Sequence, residues 1–453
     1  MLDDDSISST GVSSVSQDAE DVSLTHVARG PGRHVSSTRT ILNILKGMIG
    51  AGCLSLPVAF KFCGLWTGLA LTFVIGALNT HCMMMLVRTA HFLYEKSGKV
   101  DLDYAHLAKK SFDYGPEAFR CHSKTVLYVT NVIICLYQVG VGSVQFVFIA
   151  TNLKDVLKSF DAKIDLDVGV YMSCILLPVI LICFIRSFKP MAYLSAGGNL
   201  CMVLGFIIVL QYIIRPPNVY NTTDAWFHDF RRLILFLGGA LYAFEGQAMI
   251  LPMENEMKHP KDMARTMGVL HTSMILVSTI FASTGFFGYL KFGSAVGSTI
   301  TISMPDSPVY QLVNVLVCGA TYFGLPLQNY VIVSALWPAI RRKMPQSLLY
   351  YAVVFDSIFR VLIVLLEYAL AMALPDLTSI IPFIGITLGM VISFILPPFL
   401  ETVTFWETWT NRELTPRWTQ VAHLTKNAAL ATFGIVSIIT GLYANIVQLM
   451  HKV

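Results

Sequence analysis

Charged side chains are scarce in this sequence. Asp, Glu, Lys and Arg make up 13% of its 453 residues, whereas a soluble domain carries about 25%. Hydrophobic residues make up 55%, and the mean hydropathy is +0.62. So few charges cannot cover the surface of a soluble chain of this length, which predicts an integral membrane protein. The composition also excludes a disordered chain, a coiled coil and a secreted disulfide scaffold, and a net charge of +4 gives no sign of nucleic-acid binding.

The motifs of enzymes and metal sites are missing as well. No two of the nine cysteines form a CxxC pair or a cluster with histidine, so a zinc or redox site has no support. Gly140 and Gly142 lack the third glycine of a dinucleotide fingerprint, and no nucleophile motif or phosphate loop is present. We therefore expect neither an enzymatic activity nor a metal or other cofactor.

The first 38 residues are polar and rich in serine, and they contain the acidic run Asp3–Asp5. No apolar segment follows Met1, so a cleaved signal peptide is not expected. This composition predicts a disordered cytoplasmic tail over residues 1–38, followed by a transmembrane domain over residues 39–453.

Long apolar runs occupy most of the remaining chain. A membrane-crossing helix needs about 20 apolar residues. Eleven stretches qualify, which predicts an all-α polytopic membrane protein with about eleven transmembrane helices. They lie near residues 40–61, 66–92, 125–150, 168–185, 190–214, 232–254, 267–290, 309–337, 348–374, 377–400 and 426–449.

The positions of the basic residues predict the orientation. Lys and Arg are about twice as frequent in the segments that are cytoplasmic if the N-terminus is inside, which favours that orientation. The sequon Asn221-Thr222-Thr223 then falls in a loop on the outer or lumenal side, where Asn221 can be glycosylated. The plasma membrane and the lysosomal or endosomal membrane both fit this topology.

Two spans carry glycines at their centres. The first contains Gly47, Gly50 and Gly52, and the sixth contains Gly238, Gly239 and Gly246 with Glu245 among them. The two spans are five apart, which predicts two inverted repeats, at 40–214 and 232–400, with an extra helix at 426–449. Interrupted helices at matching positions of two halves indicate the midplane site of a secondary transporter.

The chemistry of such breaks favours one class of substrate. An unwound segment leaves backbone N–H and C=O groups that lipid cannot satisfy. The N–H groups at the start of a half-helix attract a carboxylate, and the carbonyl groups at the end of the other attract an ammonium group. A zwitterionic amino acid matches both ends. The alternative is that the glycines only permit close helix packing.

Acidic residues at membrane depth are costly and usually functional. Glu245 is the main candidate to carry or sense a proton; a structural role, in which it orders the unwound backbone, is the alternative. Phe244 either closes over the ligand as a lid or packs in the core. We interpret Glu367 as structural, together with Asp356 and Arg360, whose spacing of four residues allows them to pair on one helix face.

The same segments resemble the proton-coupled amino acid transporters of the amino acid/auxin permease family, in the amino acid-polyamine-organocation superfamily. The similarity runs from about residue 39 to 449. The segments that carry it are Leu45-Lys46-Gly47-Met48-Ile49-Gly50-Ala51-Gly52 with Leu56-Pro57, His81-Cys82-Met83, Val139-Gly140-Val141-Gly142, Tyr242-Ala243-Phe244-Glu245-Gly246, Pro252-Met253-Glu254-Asn255-Glu256-Met257-Lys258 and Pro397-Pro398-Phe399-Leu400-Glu401.

The resemblance implies a leucine-transporter-type fold of two inverted five-helix repeats plus one helix. It also implies symport of small neutral amino acids with protons rather than sodium, by alternating access. By the family pattern the substrate meets the breaks of spans 1 and 6. The expected substrate-binding residues are Gly47, Gly50, Ala51, Gly52, Ala243, Phe244, Glu245 and Gly246, with Glu245 as the candidate for proton coupling.

Two departures from the family pattern leave alternatives open. Better-known members carry a histidine, thought to act in proton coupling, where this chain has Asn43, and the outer loops near 151–167 and 291–308 lack the cysteines of an extracellular disulfide. Because asparagine does not titrate, sodium-coupled or uncoupled transport remains possible. A membrane amino acid sensor with little flux, docking partners through the polar tail and residues 93–124, is a further alternative.

Overall fold

The computed structural model describes residues 35–97, 102–160, 166–186, 188–216, 224–227, 229–411 and 416–450. Within these ranges the chain is almost entirely helical and contains no β-strand. Most of the predicted N-terminal tail, and the sequon at Asn221, lie outside the described residues. The described part begins at Val35, whose backbone pairs with Met257 in one isolated bridge, and the first helix starts at Ser37.

We number the α-helices of the described residues α1 to α19. They are α1 Ser37–Met48, α2 Ala51–Cys63, α3 Leu65–Ser97, α4 Tyr104–Asp113, α5 Glu117–Arg120, α6 Ser123–Phe160, α7 Val168–Cys183, α8 Phe188–Ile214, α9 Phe230–Ala243, α10 Gln247–Asn255, α11 Lys261–Ala264, α12 Val269–Phe292, α13 Ile300–Ser303, α14 Pro308–Arg342, α15 Gln346–Leu349, α16 Ala352–Ala373, α17 Leu377–Ile384, α18 Leu396–Thr410 and α19 Arg417–Met450. Two π-helical segments, Gly385–Gly389 and Val391–Ile395, join α17 to α18.

Each of the eleven predicted spans falls on helix. Eight helical segments of the described chain are long and apolar enough to cross a membrane, and the bent pair α1–α2 makes a ninth. The other two predicted spans coincide with α7, which has 16 residues, and with α16, which carries Asp356, Arg360 and Glu367. The multi-span architecture is confirmed, whereas the count of eleven stays a prediction.

Aspartate caps fix where several helices begin. The side chains of Asp103, Asp167, Asp229 and Asp376 accept hydrogen bonds from the first-turn backbone N–H groups of α4, α7, α9 and α17. A carboxylate at this position satisfies an N–H group that has no intrahelical partner and complements the helix dipole. The Asp229 cap therefore fixes where α9 begins, and the break lies at the other end of this helix.

The second half of the first span, α2, packs into the buried core of the protein. Gly52 of α2 lies so close to α9 that a Cβ atom there would stand 2.8 Å from the Cα of Ala243. Phe60 meets the ring of Phe236 edge-on at 5.9 Å, and Gly285 of α12 gives room for the other side of the Phe60 ring. The helices α2 and α9, which adjoin the two glycine-rich centres, therefore pack directly against each other.

The π-helical part of the tenth span meets α9 on its other side. Gly385 and Gly238 approach each other through their backbones, so neither position has space for a side chain. A π-helix disturbs the regular hydrogen-bond ladder, and Tyr104 of α4 donates a hydrogen bond of 2.7 Å to the carbonyl oxygen of Ile392. The short helix α4 is thereby tied to the tenth span.

Candidate functional site

The first span is broken at Ile49 and Gly50. The helix α1 ends at Met48, α2 begins at Ala51, and the two axes differ by 58°. Gly50 has an extended backbone and gives α2 no side-chain cap. The first N–H groups of α2 therefore point, without a capping side chain, toward the gap between the half-helices.

The sixth span is broken over Phe244, Glu245 and Gly246, between α9 and α10. Unlike the first span it does not bend by more than 40° at the break. The Nδ2 group of Asn79, on α3, donates to the carbonyl oxygen of Phe244 at 2.8 Å, and Gln247 Nε2 donates to Asn79 Oδ1 at 2.9 Å. Asn79 therefore replaces a backbone donor that the break removes, and Gln247 holds the Asn79 amide in place.

Both breaks border one cavity of about 250 Å³. Helices α6, α8 and α14 form its remaining walls. The lining residues are Lys46, Gly47, Met48, Ile49, Gly50, Ala51, Gly52, Tyr137, Val141, Gln145, Gly198, Asn199, Met202, Tyr242, Ala243, Glu245, Ala320, Thr321 and Gly324. Six of the eight residues that we predicted to bind substrate are among them: Gly47, Gly50, Ala51, Gly52, Ala243 and Glu245.

The other two predicted residues do not line this cavity. The Phe244 side chain is fully buried and packs edge-on against Phe281 of α12, with ring centroids 4.9 Å apart. Gly246 faces the methyl ends of Met48 and Met83, each 3.3 Å from the position that a Cβ atom would take. In this conformation Phe244 is therefore a core residue rather than a lid. Gly246 packs against methionine side chains and does not line the cavity.

Glu245 is the acidic residue that lines the cavity. Its Oε1 atom is buried and makes no hydrogen bond to the described residues. Tyr137 and Tyr242, which also line the cavity, lie close enough for their hydroxyl groups to interact electrostatically with this carboxyl group. The carboxyl group can thus hold a proton or accept a hydrogen bond from a ligand.

The remaining walls supply polar groups that our sequence analysis missed. Gln145 of α6, Asn199 of α8 and Thr321 of α14 all line the cavity. Gln145 Nε2 donates to Gln328 Oε1 at 2.5 Å, which leaves Gln145 Oε1 buried and without a partner in the described chain. Single amides inside apolar runs were the available signal, but hydropathy does not say which face of a helix they occupy.

Two of the three charged residues that we interpreted as structural, Asp356 and Arg360, form an ion pair, whereas Glu367 forms none with the described residues. Arg360 contacts Asp356 at 3.0 Å, which confirms the predicted pair, and Arg186 contacts the same carboxylate at 3.0 Å. Lys426 of α19 pairs with the buried Glu401 at 3.3 Å. Among the described residues, no group of three or more His, Cys, Asp and Glu side chains is placed to hold a metal ion.

Comparison with known proteins gives consistent matches over nearly the whole chain. Residues 33–447 match the family described as "Transmembrane amino acid transporter protein". A Caenorhabditis elegans protein named "Probable amino acid transporter skat-1" is 34% identical over 424 residues, which are 92% of this chain and 90% of that protein. A Drosophila melanogaster protein named "Proton-coupled amino acid transporter-like protein pathetic" is 28% identical over 414 residues, 91% of this chain and 84% of that protein.

A solved structure described as "Inward facing conformation of Mhp1" superposes with a TM-score of 0.50 and 14% sequence identity, over 92% of this chain and 90% of that one. This likeness concerns the fold alone, and it confirms the predicted leucine-transporter-type architecture. The matched family and both relatives are transporters and not enzymes. The chain is therefore an integral membrane protein that belongs to the family of transmembrane amino acid transporter proteins.

Proposed function

We propose that this protein is a secondary active transporter that moves small neutral amino acids across its membrane together with protons, by alternating access. The observation that carries the proposal is the cavity of about 250 Å³ that both helix breaks border and that contains Glu245. Breaks at matching positions of two repeats are the usual place for the substrate in such transporters.

The cavity suits a zwitterion. The N-terminal N–H groups of α2 supply partial positive charge for a carboxylate, and the last carbonyl groups of α9 supply partial negative charge for an ammonium group. Among the lining residues, Lys46 is the basic side chain and Glu245 is the acidic one. A substrate with a charged side chain would need an additional counter-charge, so a neutral side chain fits best.

Glu245 is our candidate for the coupling proton. It borders the cavity, and its Oε1 atom makes no hydrogen bond to the described residues. The position that carries histidine in better-known relatives is Asn43, which is exposed on α1 and does not titrate. A proton that binds at Glu245 would neutralise a carboxylate beside the substrate, so loading of the two would be linked.

The orientation and the membrane belong to the same proposal. The excess of Lys and Arg in one set of loops supports a cytoplasmic N-terminus, and glycosylation of Asn221 on the outer or lumenal side would agree with it. The plasma membrane or a lysosomal or endosomal membrane is the proposed location.

Reconstituted uptake tests the function directly. We expect purified protein in liposomes to accumulate one or more small neutral amino acids from a radiolabelled panel when an inward proton gradient is imposed, and not when a sodium gradient replaces it. Uptake that follows sodium and ignores pH would overturn proton coupling. Binding without flux under any gradient would favour a sensor over a transporter.

The glutamate has its own test. Glu245→Gln keeps the size of the side chain but cannot bind or release a proton, so we expect accumulation driven by a pH gradient to fall while exchange of amino acid across the membrane at equal pH continues. Glu95→Gln, at an exposed acid near the end of α3, is the matched control and should behave as wild type. An unchanged pH response in Glu245→Gln would remove this residue from the coupling.

A further inference from the structure

A second buried acid lies behind the cavity wall, at Glu367 of α16. Its side chain is completely buried, and its Oε2 atom accepts a hydrogen bond from Asn329 Nδ2, on α14, at 3.4 Å. Its Oε1 atom has no hydrogen-bond partner in the described chain. The carboxyl group lies directly against Gly142 of α6, where any Cβ atom would overlap with it. Because Gly142 has no side chain, it leaves the space that the carboxyl group of Glu367 occupies.

This acid is connected to the cavity through two neighbouring helices. On α6, Gly142 touches the acid, whereas Val141 and Gln145 line the cavity. On α14, Asn329 bonds to the acid, whereas the preceding residue, Gln328, accepts the hydrogen bond from Gln145. A movement of α14 relative to α6 would therefore change the contacts of the acid and the wall of the cavity together.

Polar contacts also lead from the acid toward the predicted cytoplasmic surface. Asn329 Nδ2 lies 3.4 Å from the sulfur of Cys183 at the end of α7, and the carbonyl oxygen of Cys183 accepts a hydrogen bond of 3.2 Å from Arg360. Arg360 pairs with Asp356, which also contacts the part-exposed Arg186.

Among the described residues, the groups that face Glu367 offer it no compensating positive charge. The nearby titratable group on α7 is the Cys183 thiol, and on its own helix Arg360 lies about two turns away, paired with Asp356. The contacts from α6 and α14 are Gly142 and Asn329, which do not titrate. An ionised carboxylate in such a place is strongly destabilised, and binding of a proton removes its charge.

We propose that Glu367 is a second proton-binding site of the transport cycle, loaded and emptied as α14 moves against α6. One proton binds to the carboxylate and gives a neutral carboxyl group, and the same proton leaves when this part of the scaffold opens to the other side. The inference rests on the proposed proton-coupled transport, and it implies two coupled protons, one at Glu245 and one at Glu367, for each amino acid.

The thermodynamic limit of accumulation tests the inference. In liposomes whose membrane potential is held at zero, a one-unit pH gradient can concentrate a substrate by about tenfold for each coupled proton. With the best substrate of the panel, we expect wild type to approach about a hundredfold and Glu367→Gln to approach about tenfold, with exchange at equal pH retained. Glu95→Gln is again the control and should match wild type.

The outcomes separate the two proposals. If Glu367→Gln accumulates substrate as far as wild type, the second site is wrong and proton coupling at Glu245 stands. If wild type shows no accumulation under a pH gradient, the proposed function fails and the second site fails with it.

A second variant keeps the test available if Glu367→Gln does not fold. Asn329→Leu removes the hydrogen-bond donor to the carboxylate and changes no titratable group. We expect the pH midpoint of its uptake to move by about half a unit or more toward alkaline pH. A midpoint identical to wild type in the folded variant would overturn the role of Glu367.

Discussion

Substitutions of Gly50 are expected to weaken substrate binding without destabilising the fold. A Cβ atom at this position would meet no other atom within 4 Å, and the extended backbone of Gly50, with φ of −163°, suits any residue. An added side chain therefore intrudes on the space that a substrate needs. Forcing extra methylene groups into an occupied site costs about 1–3 kcal/mol, which corresponds to about a 5–150-fold loss of affinity. We expect Gly50→Ala near the lower end and Gly50→Leu at or beyond the upper end.

Substrate binding to purified protein and its thermal unfolding are measured together. We expect both Gly50 variants to unfold at the wild-type temperature while their affinity falls in the order of side-chain size. Gly52→Ala is the contrasting variant, because its Cβ atom would stand 2.8 Å from the backbone of Ala243, so it should lower the stability of the fold by about 1–3 kcal/mol. Wild-type affinity in Gly50→Leu would refute the site, and a loss of stability in Gly50→Ala equal to that of Gly52→Ala would refute the reasoning.

Three further predictions concern residues that support the two breaks and the tenth span. Asn79→Leu leaves the carbonyl oxygen of Phe244 buried without its donor, so stability should fall by about 1–3 kcal/mol and substrate affinity with it; an unchanged affinity would show that this amide does not hold the break in its binding form. Tyr104→Phe removes the donor to Ile392 and should lower the unfolding temperature with KM unchanged; wild-type stability would contradict the role of this bond. Gly246→Trp would have to displace the ends of the Met48 and Met83 side chains and so distort the break. Uptake should therefore be abolished while surface expression persists, and normal uptake would show that the break tolerates a bulky residue.

Hydropathy predicted the helices well, because membrane depth imposes a length and a composition on each span. It did not predict their ends: α19 begins at Arg417, nine residues before the predicted start, and α6 extends to Phe160. Helices can continue past the apolar core into regions where charged side chains reach water, so the apolar window marks the membrane and not the helix.

The glycines illustrate both the strength and the limit of the sequence pattern. The first break occurs inside the predicted cluster, at Ile49 and Gly50. In the sixth span Gly238 and Gly239 lie within α9, where Gly238 permits close approach to Pro382 and Gly239 lies near Ala59. For Gly238 the alternative of close packing is correct, whereas a Cβ atom at Gly239 would make only an ordinary contact with Ala59. A glycine signals either a break or a contact, and only the neighbouring helix decides which.

The side-chain directions at the site were beyond sequence reasoning for a similar reason. Phe244 and Glu245 are adjacent in the chain, yet one packs against α12 and the other lines the cavity. The walls from α6, α8 and α14 come from spans far apart in sequence, so no local pattern identifies Gln145, Asn199 or Thr321 as neighbours. Their meeting depends on how the two halves pack.

The position of a bound amino acid tests the central claim most directly. A cryo-EM map of the protein with its best substrate should show the carboxylate of the amino acid within about 3 Å of the first N–H groups of α2, and its ammonium group beside the end of α9, with both spans interrupted. Density for the amino acid away from these two half-helix ends, or a first or sixth helix that runs unbroken through the membrane, would contradict the account.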